Sequence, residues 1–115
     1  IDTTGNATTF GDSTVAQSRA GTCADSSRAL FAYYEGTIEY LTIQTLGNAT
    51  DFGDFTNPNR SYVTGTGNAS RGVFAGGSSG PSNIIDYVTI QTIGNATDFG
   101  DLTVARYGAA GLSGD

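Results

Sequence analysis

Residues 41–54 read LTIQTLGNATDFGD, and residues 88–101 read VTIQTIGNATDFGD. The two stretches agree at 12 of 14 positions and differ only by exchanges among Leu, Val and Ile. A weaker copy, IDTTGNATTFGD, occupies Ile1–Asp12. The GNAT tetrapeptides begin at Gly5, Gly47 and Gly94, spacings of 42 and 47 residues. Periods of roughly 40–50 residues belong to repeats built as four short strands, each unable to bury its apolar face without a neighbour.

Working outward from the repeat, each period divides into four strand-length pieces. In the later copy they are Ser61–Thr66, Arg71–Ala75, Ile84–Gln91 and Thr97–Thr103; in the earlier copy, Ala16–Cys23, Arg28–Tyr34, Thr37–Gln44 and Thr50–Thr56. Gly, Asn or Pro marks most of the breaks, as expected of antiparallel strands joined by tight turns. The third piece, IIDYVTIQ, carries apolar residues on both faces and is expected to be covered on both sides. The small residues of the second pieces (Ala29, Ala32, Gly72, Ala75, Gly76) suit a crowded axis where neighbouring backbones approach.

Composition agrees with an all-β chain. The 115 residues include 17 Gly but no Met or Trp, only two Glu (Glu35, Glu39), and five basic residues that are all Arg. Helix formers are scarce while β-branched and turn-forming residues abound. The reading is one repeat domain of four-stranded antiparallel blades, about 2.4 repeats per chain. It divides into a partial blade at 1–15, blades at 16–57 and 58–103, and the start of another at 104–115. The chain thus begins and ends inside a repeat, and the lack of Met suggests a processed chain or part of a longer one. Raw strand edges at both ends favour pairing with other chains, as a closed ring or an open filament, so homo-oligomerisation is expected.

Charge and residue inventory exclude several activities. No His is present, which removes Ser-His-Asp and Cys-His pairs and every imidazole metal ligand. One cysteine, Cys23, gives neither an intramolecular disulfide nor a thiolate zinc site and reads as a small buried filler. A net charge of -6 without Lys argues against nucleic acid, and no apolar run is long enough to span a bilayer as a helix. No cofactor motif is present: Gly65-Thr66-Gly67 has Ser70 where a third phosphate-binding glycine would stand.

Four groups of residues merit a functional reading beside a packing one. Asp51, Asp54, Asp98 and Asp101 flank the DFGD turns at a spacing that admits a hard cation, but without dense alternating ligands they read better as edge solvation around a packed Phe. Five N-x-[ST] sequons, at Asn6, Asn48, Asn59, Asn68 and Asn95, are glycan acceptors in a secreted eukaryotic protein; turn chemistry explains three of them through the repeated GNAT. Tyr33, Tyr34, Tyr62 and Tyr107, with Asn57, Asn59, Arg60 and Arg106, compose a sugar-contacting rim or else pack between blades. Asp25, Glu35 and Glu39 offer carboxylates for a glycosidase pair, with nothing in the sequence to set their separation.

Two segments carry a family resemblance: a strand ending in a glycine pair (RGVFAGG) and a following strand with a Tyr (IIDYVTI). The pattern resembles kelch-like propeller repeats. The core IDY-TI-GNATDFGDLT is also similar to Gly- and Thr-rich repeats in structural and tail-associated proteins of marine bacterial viruses. The chain departs from the kelch pattern in lacking the late Trp and in having Tyr33-Tyr34 where the earlier copy would carry the glycine pair. The resemblance implies a propeller-like fold and a non-catalytic structural or adhesion role in a virion or extracellular assembly. A lectin-like module that binds carbohydrate is the alternative.

Overall fold

The computed structural model describes residues 4–16, 18–78 and 82–113. The outermost residues of both partial repeats (1–3, 114–115), and Ser79–Pro81 of the loop after the glycine pair, lie outside the described residues.

The chain is all-β, with eight strands in two four-stranded antiparallel meanders. The first unit holds β1 (Gly21–Ala24), β2 (Arg28–Ala32), β3 (Thr37–Thr42) and β4 (Thr50–Asp54). The second holds β5 (Thr64–Gly67), β6 (Arg71–Ala75), β7 (Ser82–Thr89) and β8 (Thr97–Arg106). All eight fall on the pieces that turn punctuation marks out. Both first strands and one third strand shift at their starts: β1 is shorter than its piece, β5 begins three residues late, and β7 begins and ends two residues early.

Equivalent turns are made by equivalent chemistry. Between β1 and β2, Asp25 Oδ1 accepts the Ser27 and Arg28 N–H groups at 2.7 and 2.8 Å. Between β5 and β6, Asn68 Oδ1 accepts those of Ser70 and Arg71 at 2.9 and 2.8 Å. A carboxylate and an amide are interchangeable here because each presents one acceptor oxygen to its own chain two and three residues on. The cation that follows each turn lies over the Tyr of the third strand, Arg28 on Tyr40 and Arg71 on Tyr87, both 4.7 Å from the ring centre. Both third strands also carry a register irregularity at the same place, Ile38/Glu39 and Ile85/Asp86.

The core lies between the units as much as within them. Leu30, Ile38, Phe52, Phe55, Val63, Phe74, Val88, Ile90 and Ala96 belong to one buried cluster that takes residues from both sheets. Phe55 and Phe74 meet edge to face at 5.4 Å. Burial of a Phe such as Phe74 contributes on the order of 1.5–3 kcal/mol, so this shared cluster joins the two sheets energetically. On β7, Asp86, Val88 and the adjoining Ile90 are fully buried, whereas Ile85 and Tyr87 on the other face are half-buried.

Between the two sheets, the closest backbone approach falls on the first strands, not the second. A Cβ on Gly65 would stand 2.1 Å from the Thr22 carbonyl oxygen, and one on Gly111 would stand 2.5 Å from that of Gly65. Small residues on the second strand serve side-chain packing instead, since a Cβ on Gly72 would lie 2.4 Å from Cys23 Sγ. Gly111 and Leu112, which belong to no strand, therefore lie against β5, which in turn lies against β1.

Cys23 is buried in this packing. Burial, and secondarily the nearby Asp25 charge, push its thiol up to about 12. A thiol reagent at pH 8 is expected to label Cys23 only through unfolding, at least ~100-fold more slowly than in denaturant, as read by absorbance-based thiol counting.

Candidate functional site

The repeated motif joins one unit to the next. The Gly94 N–H donates to the Phe52 carbonyl at 2.9 Å, and the Ala96 N–H donates to that of Asp54 at 2.8 Å. The Asp54 N–H in return donates to Asn95 Oδ1 at 3.0 Å. One period earlier the same three bonds recur: Gly47 N–H to the Phe10 carbonyl (3.1 Å), Ala49 N–H to that of Asp12 (2.9 Å), and Asp12 N–H to Asn48 Oδ1 (3.0 Å). Each GNA loop is thus seated on the Phe-Gly-Asp of the preceding unit.

Glycine makes the seat possible. A Cβ on Gly53 would lie 2.4 Å from the Gly94 carbonyl oxygen, and one on Gly11 would lie 2.0 Å from that of Gly47. Gly53 also has φ +148°, a conformation that L side chains rarely adopt. The motif therefore encodes both halves of one contact: glycine and two carbonyls on the seat, and an asparagine with two N–H groups on the loop.

Equivalent apolar positions differ in burial according to whether a neighbouring unit covers them. Phe52 is 1% exposed and Phe99, its counterpart one period on, is 54% exposed. In the opposite sense Ile90 is fully buried and its counterpart Ile43 is 40% exposed. Each unit accordingly has a forward face and a backward face, and the faces that meet inside the chain are not the same surface.

Neither a protein-family model nor a curated protein matches this sequence.

The candidate residues distribute unevenly over that geometry. Asp51, Asp54, Asp98 and Asp101 are exposed beside the seats, and no group of three or more potential metal-ligating side chains occurs among the described residues. Among the asparagines, Asn48 and Asn95 are the loop acceptors, Asn68 holds its own turn, and Asn6 and Asn59 are exposed. Tyr62 and Tyr107 come together at 6.2 Å between ring centres, with Arg19 4.9 Å from the Tyr62 ring. Tyr34 is exposed, but Tyr33 is buried and shares a 3.0 Å hydrogen bond with Ser13, so the four tyrosines do not form one rim. Burial is the main cause that raises the Tyr33 hydroxyl above its ordinary pKa.

Arg60 and Glu39 are buried rather than presented to a ligand. Arg60 pairs with Asp86, also donates to the Gly76 and Ile84 carbonyls at 3.2 and 3.1 Å, and lies 4.5 Å from the Phe55 ring centre. Burial lowers its pKa and the Asp86 carboxylate opposes that. Glu39 is fully buried and accepts the N–H and hydroxyl of Thr14. The glycine pair wraps the arginine: Gly76 and Gly77 take φ values of +70° and +124°, which bring the Gly76 carbonyl to the guanidinium.

Asp25 is occupied in its turn. Burial opposes its charge, but hydrogen bonds from the Arg28 N–H, the Gln91 amide, and the N–H and hydroxyl of Ser27 outweigh it and hold the carboxyl at about 2. Because the folded value lies below the ordinary 3.8, the stabilisation is complete above that value and is lost as pH falls through about 2. Thermal melts between pH 5 and 2 are expected to show a decline in stability that Asp25→Asn flattens, while at pH 7 the Asn variant keeps the turn, as Asn68 does naturally.

Proposed function

We propose that this chain is a non-catalytic structural or adhesion component that assembles through propeller-like β-repeats, in a virion or other extracellular assembly. The observation that carries the reading is the paired burial difference, Phe52 against Phe99 and Ile90 against Ile43. Apolar side chains that form the interior contact leave equivalents exposed on opposite faces, the arrangement of a repeat whose contacts continue beyond one chain. First strands that approach most closely suit an innermost strand in each blade. The resemblance to viral structural repeats supports the setting, and the absence of His from the sequence supports a non-catalytic role.

Light scattering coupled to size exclusion tests this. Assembly predicts a mass that rises above 11.8 kDa with concentration. A mass fixed at 11.8 kDa up to millimolar protein would overturn it.

A second reading, carbohydrate binding, is favoured by one observation, the exposed Tyr62–Tyr107 pair beside Arg19. Two amphipathic rings with an adjacent cation offer a stacking surface to a sugar. A glycan array on which Tyr62→Ala and Tyr107→Ala abolish a signal would establish it, and an array with no signal would sink it.

A further inference from the structure

We propose that Phe99-Gly100-Asp101 is the seat for the Gly5-Asn6-Ala7 loop of a second copy of this chain, so that copies join head to tail. The proposal rests on the assembling-repeat reading above and gives it an address and a direction. Two filled examples of the contact lie within the chain, each closed by the same three hydrogen bonds.

The third seat matches the filled ones. It carries the same Asp-Phe-Gly-Asp string as the Gly53 seat (the first seat has Thr9 in place of the leading Asp), with Gly100 at φ +140° beside the +148° of Gly53. It also has the same strand register: Ile84 opposes Asp101 and Ile85 opposes Gly100, as Thr37 opposes Asp54 and Ile38 opposes Gly53. Where a Cβ on Gly53 would strike a carbonyl, one on Gly100 meets nothing within 4 Å. The third loop, Gly5-Asn6-Ala7, is exposed, and its Ala7 is open where the counterparts in the filled loops are half-buried (Ala49) or buried (Ala96).

Seat and loop lie in opposite directions along the repeat. A copy cannot satisfy its partner's seat by presenting its own seat, so the contact is heterologous and adds copies in one direction, to a ring where the rotation closes and to a filament where it does not. In the joined state the Gly5 and Ala7 N–H groups would donate to the Phe99 and Asp101 carbonyls, and the Asp101 N–H to Asn6 Oδ1. Phe99 would lose the exposure that distinguishes it from Phe52.

Sedimentation velocity of single variants and of their mixture tests the address and the direction. Asn6→Ala removes one acceptor and is expected to weaken association about five- to tenfold. Ala7→Arg blocks the loop, and Gly100→Val or Phe99→Lys blocks the seat. Each blocked variant alone is expected to sediment as a monomer. Ala7→Arg retains a working seat and the seat variant a working loop, so their equimolar mixture should form a dimer of twice the monomer mass and stop there. Phe99→Lys replaces Gly100→Val if the latter melts below the wild type.

A variant carrying Ala7→Arg and Phe99→Lys together that assembles as well as the wild type would overturn the seat while leaving the assembly reading intact. Blocked variants that fail to pair when mixed would overturn the head-to-tail direction. A wild type that never exceeds a monomer overturns both.

Discussion

Asp86→Ala is expected to destabilise the chain by about 3–5 kcal/mol, because it strands the Arg60 charge in the interior. For a domain of this size that corresponds to a fall in Tm of roughly 10–20 °C, and to a large fraction of the ~5–15 kcal/mol that holds a typical domain folded. Arg60 is 2% exposed and Asp86 fully buried, so neither charge has water to fall back on. Asp86 also accepts the Thr56 hydroxyl at 2.5 Å, an acceptor lost with the carboxylate. The converse change, Arg60→Ala, strands the carboxylate and removes the guanidinium's bonds to two carbonyls. Arg60→Met combined with Asp86→Leu should cost less than the two single losses added together, by at least ~2 kcal/mol, since it removes both charges and keeps the volume. Urea unfolding of the four proteins checks this. A double variant no better than the sum would mean that the two charges do not stabilise one another.

This pair also shows where the sequence stops being informative. The fold is legible: a 12-of-14 match in a period near 45 residues, turn residues at regular breaks and a shortage of helix formers point to four-stranded units. The strand positions follow because Gly, Asn and Asp each have a local conformational reason to be where they are. Asp86 is not legible, since a carboxylate within IIDYVTI reads as one polar residue on an otherwise apolar strand. Its partner Arg60 lies in the connection between units, 26 residues away, and contact across that separation depends on how the loop folds back over Gly76-Gly77. From sequence, Arg60 therefore reads as a rim cation. Tyr33 reads as an exposed tyrosine because the partner of its hydroxyl, Ser13, lies on the segment before the first unit.

The seat is half legible. Identity confined to GNATDFGD and the preceding strand indicates that something constrains those residues jointly, and turn chemistry accounts for only part of it. Period alone cannot reveal that the GNA of one copy is bonded to the FGD of the previous copy. That pairing joins residues some 40 apart, and within one repeat the two strings look like consecutive parts of a single turn.

Gly53→Ala and Gly100→Ala should differ in cost by about 2–4 kcal/mol, the value expected of two or three backbone hydrogen bonds and one displaced contact. The two glycines occupy the same string at nearly the same φ, +148° and +140°, so the conformational penalty of a side chain, about 1–3 kcal/mol, is common to both and cancels in the comparison. What remains is the neighbour. An alanine at 53 places Cβ 2.4 Å from the Gly94 oxygen and 2.9 Å from the Asn95 nitrogen, and backbone cannot turn aside as a flexible side chain would. Relief requires withdrawal of residues 94–96, which breaks their bonds to Phe52 and Asp54 and uncovers Phe52. At position 100 the same methyl meets open space. Thermal unfolding of both variants, at a protein concentration low enough to keep them monomeric, isolates the contribution of one seated loop to the fold. Equal melting temperatures would show that the loop contributes nothing, and with that the physical basis for seating a second copy on Gly100 would be gone.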